Sequence, residues 1–179
     1  IAPGTTAYYS ALILTNGTPN RPLDLLLGSN ITEPAFDLFD KVQKRFPRVA
    51  REFWKLTGNN PLVHTLIAMQ GFNPYLTPRE DVVRYVQQVA QIEPDIFLKL
   101  IQNYQTYDAT PWLHTLTQPT LIVSGERDRI TPPASQKILH ELIPNSRLEL
   151  VRHGSHCPQM DLPDLFNHLI ANFLREISY

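Results

Sequence analysis

The last third of the chain alternates two short apolar runs with two helix-periodic segments, and this alternation constrains the fold more than any other feature. Thr120-Leu121-Ile122-Val123-Ser124-Gly125 reads as a strand that runs into a turn, and Ile138, Leu139, Leu142 and Ile143 then share one helical face. Arg147-Leu148-Glu149-Leu150-Val151 reads as a further strand, and apolar residues from Leu165 to Ile177 recur at helical spacing after it. Strand, helix, strand, helix at these lengths is the pattern of parallel α/β units. Near the start, Ala11-Leu12-Ile13-Leu14-Thr15 is another candidate buried strand, closed by the turn signals Asn16-Gly17-Thr18-Pro19-Asn20.

Between these strands, from about residue 21 to 110, the reading is helical. Prolines cut the stretch into segments: there are 16 in the chain against 7 glycines, and they sit where helices start or end. Phe36, Phe39, Val42 and Phe46 follow Thr32-Glu33-Pro34, an N-cap with proline in the first turn. Val49, Phe53 and Leu56 continue the stripe, and Gly58 ends that helix. Thr77-Pro78-Arg79-Glu80 is a capping-box signature ahead of Val82, Val83 and Val86. The aromatics here, including Phe36, Phe39, Phe53, Trp54 and Phe72, are expected first to pack against one another.

Composition narrows the partners. With 179 residues, the chain can bury one full core, or a small core plus an appendage. A net charge of -1 offers no basic face for nucleic acid, and no apolar run is long enough to span a membrane. The single Cys157 cannot close an internal disulfide, which together with the lack of an apolar leader suggests a cytoplasmic setting. The first residue is Ile1, so the expectation is a processed chain or a piece of one.

In parallel α/β units, catalytic groups collect beyond the carboxyl ends of the strands. There stand Gly125-Glu126-Arg127-Asp128, with Thr131-Pro132 beyond, and His153-Gly154-Ser155-His156-Cys157-Pro158. A carboxylate and an imidazole at the same edge of adjacent strands can form a pair in which the carboxylate fixes the ring tautomer. By itself Asp128 could equally be a turn residue capping the next helix. The flanking Arg127 and Arg129 are expected to face solvent, and Asp161 to cap the last helix. His-x-x-His-Cys is not a standard ligand spacing, so no metal is expected. His64, His114, His140 and His168 lack motif context and are read as structural or surface residues.

These residues resemble the C-terminal end of the α/β-hydrolase superfamily: a Gly-x-x-Asp turn with a Thr-Pro pair, a Gly-x-His turn after the last strand, and the acidic-x-Pro step Asp161-Leu162-Pro163. The resemblance implies an α/β fold with a parallel sheet, in which residues 1–20 and 111–179 form part of the core and residues 21–110 an inserted helical cap. It implies that Asp128 is the acid and His156 the base of a nucleophile–acid–histidine triad, with no cofactor. The reaction implied is hydrolysis of a small-molecule ester or related carbonyl compound. An aspartate nucleophile would instead suit a dehalogenase or epoxide hydrolase, the framework also serves C–C hydrolases, and a non-catalytic binding module is the alternative.

None of the serines sits in the Gly-x-Ser-x-Gly elbow on which such a nucleophile is usually presented. The expectation is therefore that the nucleophile and oxyanion loop belong to an N-terminal portion upstream of Ile1. This chain alone should not turn over substrate, and it should need that portion, covalently or as a second chain, to cover its sheet edge.

Overall fold

The computed structural model describes residues 9–20 and 32–177. Among these residues, three parallel strands form the sheet, β1 (Leu12–Thr15), β2 (Thr120–Gly125) and β3 (Ser146–Val151), in the spatial order β1-β2-β3. The expected strands are thus present and adjacent. The register sets Leu14 beside Ile122 and Ile122 beside Leu148, so the carboxyl ends of β2 and β3 finish level, with Gly125 opposite Val151.

β2 is buried along its whole length because it is central and covered on both faces. Side chains alternate across a strand, so Ile122 points into a cluster with Leu12, Leu139 and Ile143, while Leu121 and Val123 join Val151 and Phe173. The first cluster is closed by α6 (Pro133–Leu142) and the second by α8 (Pro163–Glu176), one helix against each face. A one-turn helix, α7 (Pro158–Asp161), leads into α8.

Among the described residues, five α-helices lie between β1 and β2: α1 (Thr32–Arg45), α2 (Pro47–Thr57), α3 (Pro61–Gly71), α4 (Arg79–Val89) and α5 (Pro94–Thr106). Proline opens α2, α3 and α5, where its missing N–H leaves no helical bond unmade. Among the described residues, the outgoing and returning segments of the chain are paired where they meet. Asn20 and Asp108 form an antiparallel bridge, and Ala109 N–H donates to the Pro19 carbonyl at 2.7 Å. The early residues 1–8 and the run Leu25-Leu26-Leu27 lie outside the described residues, as does the side chain of Phe36.

Two local expectations are corrected. The stripe Val49, Phe53, Leu56 exists, but it faces outward, each residue more than 60% exposed. α2 packs inward through the neighbouring positions Ala50 and Trp54, and Trp54 stacks between Phe39 at 5.8 Å and Phe97 at 4.8 Å. With Leu38, Phe39 and Val42 of α1, Val49, Ala50 and Phe53 line an open apolar groove of about 390 Å³. Thr77 does not cap α4: the helix starts behind Pro78 with no side-chain cap, because the Thr77 hydroxyl is donated to Asp161 instead.

Gly58 does end α2, for a reason other than a left-handed cap. Its backbone is right-handed helical, and a Cβ there would stand 2.8 Å from the Cβ of Ala90 at the end of α4. The missing side chain at Gly58 leaves room for the Ala90 methyl. Asn60 then caps α3, its side chain accepting Leu62 N–H at 2.9 Å, and the buried His64 ring contacts the Gly58 carbonyl at 2.8 Å. Gly58→Ala should therefore destabilise the protein by roughly 1–3 kcal/mol despite the better helix former, because two β-carbons cannot share the site. Adding Ala90→Gly should recover part of that loss, as measured by urea unfolding of the single and double variants.

Candidate active site

Asp128 stands in the turn after β2, buried to 4% exposure. Burying a carboxylate is costly unless donors surround it. Here Oδ1 accepts the backbone N–H groups of Ile130 at 2.8 Å and Thr131 at 2.9 Å. Oδ2 lies 2.8 Å from the Thr131 hydroxyl and 3.0 Å from Nδ1 of His156. The turn is thus a cradle that leaves one lobe of one oxygen for the ring. Arg127 and Arg129 are exposed and make no ion pair with Asp128.

His156 comes from the loop after β3, with its side chain 27% exposed. A contact from Nδ1 to a carboxylate places the proton on Nδ1 and leaves Nε2 as the basic nitrogen. Nε2 has no hydrogen-bond partner among the described residues. The acid and imidazole expected from the strand ends are therefore brought together in direct contact.

Backbone contacts hold the two turns in register. A Cβ on Gly125 would collide with the carbonyl oxygen of Ser155 and lie 2.6 Å from the Gly154 carbonyl, so only glycine lets the histidine loop cross the end of β2. Arg127 N–H donates to the Gly154 carbonyl at 2.8 Å. His153, in the left-handed region at φ 62°, turns the chain out of β3, its N–H donating to the Glu126 carboxylate at 3.1 Å.

Two residues that matter here were not singled out as site residues by sequence reasoning. Asn16, buried at the end of β1 with φ 44°, donates Nδ2 to the carbonyls of Ser155 (3.0 Å) and His156 (2.5 Å), and accepts Gly125 N–H at 3.0 Å. The sequence signal was only a turn-forming Asn-Gly pair, although Asn tolerates this backbone better than most residues. Asp161 is the second. It does not cap α8, whose start has no side-chain cap. Its buried carboxylate accepts Ser155 N–H at 2.5 Å, Asn73 N–H at 3.2 Å and the Thr77 hydroxyl.

Cys157 packs with Phe72, Val82 and Val86 of the inserted helices. Burial pushes its thiol up to about 11, and the carboxylates of Asp161 and Asp128 add to the shift. At neutral pH the thiol stays protonated and packs as a small hydrophobe. No group of three or more His, Cys, Asp or Glu among the described residues could hold a metal. His140 meets Ser146 and His168 meets Asn172, both away from the pair.

With fold and geometry in view, comparison with known proteins places the chain. Residues 26–163 match the profile of the alpha/beta hydrolase fold family, and the chain belongs to that family. Among curated relatives, it is 24% identical to 3-oxoadipate enol-lactonase 2 of Acinetobacter baylyi over 123 residues, which cover 68% of this chain and 45% of that enzyme. It is 34% identical over 62 residues to pimeloyl-acyl-carrier protein methyl ester esterase of Nitrosomonas europaea, covering 35% of this chain and 25% of that enzyme. A solved thermophilic esterase from Thermogutta terrifontis superposes with a TM-score of 0.68 at 19% identity, over 95% of this chain and 57% of that one. The chain thus spans less than half of those two relatives and little more than half of the solved esterase. No helix among the described residues is long and apolar enough to cross a membrane.

The raised thiol gives a signed prediction. The folded state keeps the proton on Cys157 while the unfolded chain loses it first, so this group's contribution is complete below the ordinary thiol range and disappears as pH rises towards about 11. Iodoacetamide at pH 8 should therefore modify the folded protein roughly 100-fold more slowly than the urea-unfolded chain, measured by intact mass.

Proposed function

We propose that this chain supplies the acid, Asp128, and the base, His156, of a hydrolase triad whose nucleophile lies outside residues 1–179. The observation that carries the reading is the 3.0 Å contact between Nδ1 of His156 and the buried carboxylate of Asp128, with Nε2 left free. In the reaction, Nε2 takes the proton of a seryl hydroxyl as its oxygen attacks the substrate carbonyl, and returns that proton to the leaving group. Nε2 then draws a proton from water as the water oxygen attacks the acyl-enzyme carbonyl, and gives it to the seryl oxygen as the acyl–oxygen bond breaks and the acid product leaves. Asp128 keeps the ring oriented and stabilises the imidazolium through both steps. Backbone N–H groups that hold the oxyanion come from the same outside portion as the nucleophile.

The proposed substrates are esters or related carbonyl compounds with an apolar part. Support comes from the methyl ester esterase and the enol-lactonase among the relatives, and from the apolar cluster of Phe72, Val82 and Val86 that packs on the residue next to His156. We take residues 21–110 as a cap domain and residues 1–20 with 111–179 as the core portion, a division supported by the paired crossing at Asn20 and Asp108. The free thiol of Cys157 fits a reducing, cytoplasmic setting.

The test uses the natural protein that carries this chain, with a fluorophosphonate probe and p-nitrophenyl esters. The expected result is labelling of a serine outside residues 1–179, with ester hydrolysis that falls roughly 10³-fold or more in His156→Ala and in Asp128→Asn. Hydrolysis indifferent to both substitutions, or a label on a serine within these residues, would contradict the reading.

A further inference from the structure

The geometry points to Asp161 as a positioning residue that ties the seat of the inserted helices to the imidazole of His156. The inference deepens the triad reading and rests on it, but the residues it concerns lie outside the pair itself.

The carboxylate of Asp161 is divided between two parts of the molecule. Oδ2 accepts the N–H of Ser155, the residue before His156, at 2.5 Å. Oδ1 accepts Asn73 N–H at 3.2 Å and the Thr77 hydroxyl, both from the link between α3 and α4. Asn73, Thr77, Ser155 and Asp161 are all buried. The same link reaches the loop again where Nδ2 of Asn73 donates to the His153 carbonyl at 2.8 Å. Beneath it, Phe72 packs with Cys157, the residue after His156.

The histidine is therefore gripped on either side by groups that also grip the inserted helices. On its far side, Asn16 holds the Ser155 and His156 carbonyls to the sheet. Asp161 carries the larger share of the link to the helices, because a buried carboxylate with three donors makes charge-assisted bonds that no neutral group here replaces. A shift of the α3–α4 link removes two of those donors together. The strain then falls on Ser155 N–H, one peptide from the imidazole. His156 thus sits against Asp128 only while the helices are seated, which makes the ring sensitive to whatever moves them.

The experiment reads the ring and not turnover. In the natural protein, proton NMR follows solvent exchange of the His156 Nδ1–H resonance in wild type, Asp161→Asn, Thr77→Val, Thr77→Ser and Asp128→Asn, with circular dichroism as the fold control. Asn at 161 presents an NH2 group to a donor, so exchange should accelerate roughly tenfold or more by local opening. Thr77→Val removes one donor without altering charge, and should accelerate exchange about threefold or more, while Thr77→Ser keeps the hydroxyl and stays at the wild-type rate. If Asp161→Asn does not fold, the Thr77 pair decides. Wild-type exchange in folded Asp161→Asn and Thr77→Val, alongside loss of the resonance in Asp128→Asn, overturns the positioning role and leaves the triad standing. A resonance unchanged in Asp128→Asn overturns both.

Discussion

The loop after β3 passes over the end of β2 so closely that position 125 has no room for a β-carbon. That crossing decides where everything else lies. It brings the peptide carrying His156 against the turn carrying Asp128, at the level where two parallel strands end together. The sheet supplies the register, and the register comes from apolar alternation along β2, with Ile122 committed to one face and Leu121 and Val123 to the other. A slip of one residue would reverse those faces, and so the spacing of acid and base is fixed by the core.

Around the crossing, polar groups are used almost without remainder. Asn16 spends both ends of its amide on the histidine loop and Gly125, and Asp128 takes donors from its own turn before it meets the ring. Buried polar networks of this kind favour one arrangement when every member is satisfied. The result is an imidazole with one nitrogen held and one nitrogen free.

Much of this was legible in the sequence, and the reason is local. Each strand and the turn after it could be read from a few adjacent residues; Asp128 alone read as a turn residue, and its pairing with His156 at the ends of two strands, with the resemblance of both turns to the α/β-hydrolase pattern, gave the two their roles. Asn16 and Asp161 could not be placed in that way. Asn16 finds Ser155 across 139 residues, and Thr77 finds Asp161 across 84. Short-range signals, a turn for one and helix caps for the others, were the only reading available. The inserted helices show a different limit. α2 carries two apolar stripes, and periodicity names a face without saying which face is covered. Ala50 and Trp54 pack inward, while Val49, Phe53 and Leu56 remain open.

The central claim is that Asp128 fixes the tautomer of His156. Nitrogen-15 chemical shifts of the neutral imidazole, read at a pH above its titration, test it directly. The account predicts a pyrrole-type shift at Nδ1 and a pyridine-type shift at Nε2. A proton residing on Nε2, or a mixture like that of free imidazole, would contradict it.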